Sequence, residues 1–196
     1  MNRAARRQQE RAKRKAVKKG SFQMEMEAMQ PWSDVLMRVT LPPNVLQGML
    51  KITDQVLQDP ERKNWGDNLA GQIQDEPLIP HKLMQDYKFI DPSGNEGTIF
   101  NFLMNLIGEY VAHCHRQMAT SIDWDKIKDE TYMTQMKSAW VISQWQGEYN
   151  PLHIHTECQM STVMYLKVPK FLPSVKPERD DDGNIMFIGG AGSGSR

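Results

Sequence analysis

Cysteine is scarce in this sequence: Cys114 and Cys158 are the only two among 196 residues. Two are too few for a disulfide framework and suit a reducing cytoplasm. No apolar run approaches the ~20 residues that a membrane-spanning helix needs. The basic amino terminus is not followed by an apolar core, so it does not read as a secretory signal. No internal repeat is visible. Histidine is sparse too, with five in all and none after His155. Disulfide scaffolds, membrane spans and repeat arrays are thereby excluded. What is left is an ordinary domain composition, 39% apolar and 24% charged, in a chain long enough to bury a core.

Net charge is zero, but it is unevenly spread. The first nineteen residues hold nine Lys or Arg against one Glu, which makes that arm about +8 and the remainder about −8. An arm of this kind, residues 3–19, touches nucleic acid or an acidic partner through phosphate-type contacts. It also reads as a solvated leader that aids solubility, and the lack of interleaved aromatics favours this second reading.

The chain divides into a basic arm over 1–20, a mainly helical part over 21–130 and a strand-patterned part over 131–196. "LPPNVLQGMLKITDQVLQ" (41–58) carries apolar residues at helical spacing behind two prolines, and Asp59-Pro60 ends it. The turn-rich stretch 63–80 reads as a surface connection, and "DPSGNEG" (91–97) as a break. "GTIFNFLMNLIGEYVAHCHRQMA" is the strongest helix pattern, with one apolar stripe at 99, 103, 106 and 110. From about residue 130 the period becomes two. "KSAWVISQWQ" (137–146), "STVMYLKVP" (161–169) and "NIMFIGG" (184–190) read as strands, separated by the proline-rich loop 169–184. Helices first and strands after predict an α+β arrangement.

Two His-x-His triplets stand out. His113 and His115 fall in the helical pattern, where residues two apart point about 200° apart and cannot share an ion. In an extended strand the same spacing places side chains on one face, so His153, His155 and Glu157 point together. Two imidazoles and a carboxylate in a facial set suit non-haem Fe(II). A pair of polar residues capping a strand end is the competing reading.

The stretch "WVISQWQGEYNPLHIHTECQMSTVMYLKVP" resembles the iron-proximal segment of 2-oxoglutarate- and Fe(II)-dependent oxygenases, most closely those of marine bacteria and their tailed phages. Trp145, Asn150, His153, His155, Ser161 and Tyr165 match in order a Trp-bearing strand, Asn-x-x-His-x-His, and a Ser-rich strand closing on Tyr-Leu-Lys. The resemblance covers about thirty residues, more loosely extending through "DGNIMFIGG". It implies amino-terminal helices followed by a partial double-stranded β-helix of jelly-roll or cupin type. It also implies Fe(II) with 2-oxoglutarate as cosubstrate, ascorbate as a reductant, and hydroxylation of a protein or small-molecule substrate. His155 is the metal ligand it implies most directly. Glu157 occupies the carboxylate position, His153 is a second ligand or a group orienting the first, and Tyr165 contacts the cosubstrate carboxylate. Tyr165 also reads as a core residue of its strand.

The family's distal histidine, and the Arg or Lys that pairs with the far carboxylate of 2-oxoglutarate, have no counterpart in this chain. An incomplete catalytic core, completed by a second chain across exposed strand edges, is therefore the expectation. A non-catalytic binding or structural module of a phage, with a basic arm, is the other. Either would sit in the cytoplasm, the host's if phage-encoded.

Overall fold

The computed structural model describes residues 25–29, 35–69, 73, 75–91, 93–118, 134–171 and 183–188. The basic arm over 1–20, most of the loop 169–184 and the Gly/Ser-rich carboxy terminus lie outside the described residues.

Helix α1 spans Pro43–Gln58. Proline opens it well, because the first turn has no intrahelical acceptor for the missing N–H and the ring presets a helical φ. Val45, Met49, Ile52, Thr53 and Val56 recur at intervals of three and four and are buried, as the sequence pattern requires. At its end Asp59 turns extended, and its carboxylate accepts the Glu61 N–H at 2.9 Å. The helix stops where Asp-Pro makes stopping favourable.

The second long helix, α3, spans Ile99–Met118 and matches the other strong periodic segment. Between these two lie a short helix α2, His81–Asp86, and a hairpin of β3, Lys88–Ile90, with β4, Glu96–Thr98. Phe89 faces Gly97 in its register. The Asp91 carboxylate closes the turn by accepting the Ser93 and Asn95 N–H groups, each at 2.8 Å, and Gly94 supplies the positive φ of 87°. A first hairpin pairs β1, Met26–Met29, with β2, Leu36–Val39. The Tyr110 hydroxyl donates to the Val35 carbonyl at 2.7 Å, which ties the base of β2 to α3.

Val45, Met49, Ile52, Val56, Ile79, Met84 and Ile99 form one buried cluster. Gly48 lets the pieces close: a Cβ there would stand 2.8 Å from both Ile99 Cδ1 and Tyr87 Cε1. Ala139, Val141, Met164 and Leu166 pack against the same cluster from the later part of the chain. No helix among the described residues is long and apolar enough to cross a membrane.

Three features depart from the sequence reading. Both ladders lie within 21–130, where helix was expected, because strands of three or four residues are too short to show a period. The stretch 63–80 is not a simple surface connection, since Ile73, Glu76 and Ile79 are buried. In the strand-patterned part, the described residues pair only through an isolated bridge of Trp140 with Leu78. The alternation itself still shows in burial: Met164 and Leu166 turn to the core, while Val163 and Tyr165 are exposed. Sidedness is set by hydrophobicity, whereas a ladder also needs a partner strand.

Candidate metal centre

Long-range pairing builds the site. Leu78 donates its N–H to Lys63 O at 2.8 Å on one side, and on the other Ile79 donates to Ala139 O at 2.8 Å and Val141 to Pro77 O at 2.9 Å. Residues 77–79 are thus laced between 63–65 and 139–141. Trp140 leaves this lacing with its ring centroid 6.4 Å from that of His155. The segment 164–167 is held nearby on α1 by the Lys167–Asp54 ion pair at 2.7 Å.

His153 and His155 come together, although residues 151–160 lie in no strand. Their ring centroids are 4.9 Å apart and the two Nε2 atoms 3.2 Å apart. His153 Nδ1 lies 2.8 Å from the Pro151 carbonyl oxygen. A carbonyl only accepts, so Nδ1 carries the proton, and whenever the ring is neutral its lone pair lies at Nε2. A backbone carbonyl holding the far nitrogen is the usual support of a metal-binding imidazole. Nitrogens about 2.1 Å from a shared ion stand about 3.0 to 3.4 Å apart for angles between octahedral and tetrahedral. The observed separation falls inside that interval, so the pair fits a first-row divalent cation. Burial, then the neighbouring charge of His153, lowers the His155 pKa from its ordinary value, which keeps the ring neutral and able to bind metal further into mild acid.

The other expected residues are placed differently. Glu157 has a φ of 58°, a left-handed conformation uncommon outside glycine, so the strict alternation through 153, 155 and 157 ends at this residue. Its carbonyl accepts from Lys137 Nζ. Tyr165 is half exposed, which excludes a core role. His113 and His115 are partly buried on α3, on either side of buried Cys114. Trp145 is 75% exposed and not a core residue. Among the described residues, no group of three His, Cys, Asp or Glu side chains is already positioned to hold an ion.

Sequence reasoning missed Glu76. Its side chain is 1% exposed, and Oε2 has no hydrogen-bond partner. Burial pushes its pKa up, and the charge of His153 partly offsets this. The folded chain therefore holds the Glu76 proton more tightly than the unfolded chain does. Stability linked to this group is full in acid, below the ordinary glutamate range, and is lost as pH rises through the folded value. Glu76→Gln should remove that loss. In urea titrations between pH 4 and 8, the variant should gain progressively on the wild type toward the alkaline end. Parallel curves would show that the carboxyl does not titrate with folding.

No protein-family model, curated protein or solved structure matches the chain.

Proposed function

We propose that this chain binds Fe(II) through His153 and His155 and serves as a 2-oxoglutarate- and Fe(II)-dependent dioxygenase, or as part of one, acting in the cytoplasm. The observation that carries the reading is the meeting of the two Nε2 atoms at 3.2 Å with His153 Nδ1 already committed to a carbonyl. The resemblance of 140–169 to the iron-proximal segment of that family supports it, as does the exposed Tyr165 as a group for the cosubstrate. In such a site Fe(II) with 2-oxoglutarate and oxygen supplies oxidative decarboxylation, giving succinate and carbon dioxide, with hydroxylation of a nearby C–H bond. The protein's share is to hold and orient. The Pro151 carbonyl holds His153 Nδ1, and the Trp140 ring flanks His155. A partial double-stranded β-helix over 131–196 is part of the same proposal.

Two imidazoles hold an ion less rigidly than the family's set of three protein ligands, and no basic residue is assigned to the far carboxylate. Errors of about 1 Å in position already cost roughly a hundredfold in rate. We therefore expect the purified chain to bind Fe(II) but to release succinate only at background level with ascorbate and 2-oxoglutarate. Activity should appear when a second chain supplies a histidine and an Arg or Lys. Robust turnover by this chain alone would mean that other residues complete the site.

One observation favours the binding-module reading. Leu152, Ile154, Val163, Val168, Phe187 and Ile188 are all exposed, an unusual concentration of apolar side chains in one part of a chain. Exposed apolar side chains also suit a partner that completes the site, so the two readings differ in catalysis rather than in association.

A further inference from the structure

A buried carboxylate with an unpaired oxygen demands a reason. Removing an ion from water costs several kcal/mol unless partners replace the lost hydration, and native chains leave few such atoms unsatisfied. Among the described residues Glu76 and Thr53 are the buried polar side chains, and Thr53 is satisfied by donating to the Leu50 carbonyl at 3.0 Å. Glu76 Oε2 is not satisfied.

Its backbone is fixed from two directions. The Glu76 N–H donates to Asn64 Oδ1 at 3.0 Å, and its carbonyl accepts from the Trp65 N–H at 2.9 Å. Leu78 and Trp140 are directly paired, so their side chains share one face of the lacing, and alternation puts Glu76 on that face with them. Trp140 in turn lies against His155. His153 is close enough to act on the Glu76 charge. The strand pairing and the Trp140–His155 contact thus place the carboxylate on the side of the lacing that carries the histidine pair, although about eighty residues of chain separate them.

Resting on the metal reading of His153 and His155, we infer that Glu76 supplies the carboxylate of a divalent-cation site closed by those two imidazoles. The three groups are not gathered at ligand distance from one point. Binding therefore includes a side-chain movement, which exposed His153 and His155 and the unpaired Oε2 leave open. An arriving cation would satisfy that oxygen and replace the hydrogen bond between the imidazoles. Oxygen and nitrogen donors together suit a borderline first-row ion. Glu157, two residues past His155 on a left-handed turn, is then not needed as the anionic ligand.

The probe is Co(II), titrated calorimetrically into the full chain and followed by its ligand-field absorption. Wild type should bind one Co(II). Glu76→Gln should weaken binding by at least tenfold and alter the absorption, while Glu157→Gln leaves both unchanged. Equal affinity of Glu76→Gln and wild type would overturn the inference and leave the histidine site standing. Absence of Co(II) binding by wild type would overturn both. Should Glu76→Gln fail to fold, infrared difference spectra of the Glu157→Gln chain with 13C-labelled glutamate decide the matter. Co(II) must shift one glutamate carboxyl band, and an unchanged spectrum would exclude Glu76 as a ligand.

Discussion

Alanine in place of His155 abolishes Fe(II) and Co(II) binding, whereas alanine at both His113 and His115 leaves the affinity nearly unchanged. Both pairs have the same spacing in sequence, so the contrast tests geometry alone. On α3 the two rings leave the helix about 200° apart, and no rotamer brings both to one ion. At 153 and 155 the Nε2 atoms already stand 3.2 Å apart, so little conformational freedom is lost when an ion replaces the proton between them. Disturbing a group that merely orients a metal ligand costs roughly 10- to 100-fold in affinity, so removing a ligand should cost at least the upper value. His155 is the more informative of the two, because its lowered pKa keeps its ring unprotonated further into acid and Trp140 flanks it. Anaerobic calorimetric titration of the three chains measures this. Equal losses from the two pairs would refute a site on 153–155.

A comparably large effect is expected in the core, from Ile99→Ala or Met84→Ala. Both side chains are fully buried in the cluster shared by α1, α2 and the start of α3. Truncating either removes apolar burial and leaves a cavity that rigid neighbours cannot refill, at a cost of about 2–5 kcal/mol. At Ile99 collapse is further limited, because its N–H is tied to the Tyr87 carbonyl at 3.2 Å and its Cδ1 abuts Gly48. In a chain of this size the loss corresponds to a fall in Tm on the order of 10 °C. Urea unfolding should show a lower midpoint with an unchanged slope, which marks a loss of stability rather than a change in the unfolded state. Co(II) affinity at low temperature should be retained, since neither side chain touches the histidines. A drop below 1 kcal/mol would mean that the cluster repacks freely.

Helices α1 and α3 follow from the sequence by itself. Each repeats apolar residues over three or more turns, and proline or Asp-Pro marks two of their ends, so local patterning and burial agree. The sidedness of 163–166 follows equally from a period of two. The hairpins did not, because three or four residues cannot display a period and their stability comes from pairing across a turn. Glu76 is the clearest case of what tertiary structure alone decided. It stands in "QDEPLIP", a polar, turn-like stretch that reads as surface. It is buried because Leu78 pairs with Lys63 and Trp140, the latter sixty-two positions away, and no neighbouring residue encodes that distance. A side chain's exposure is set by whatever packs over it, and a carboxylate's chemistry by whether water reaches it. Only the folded chain could therefore bury a carboxylate that stands in a stretch reading as surface.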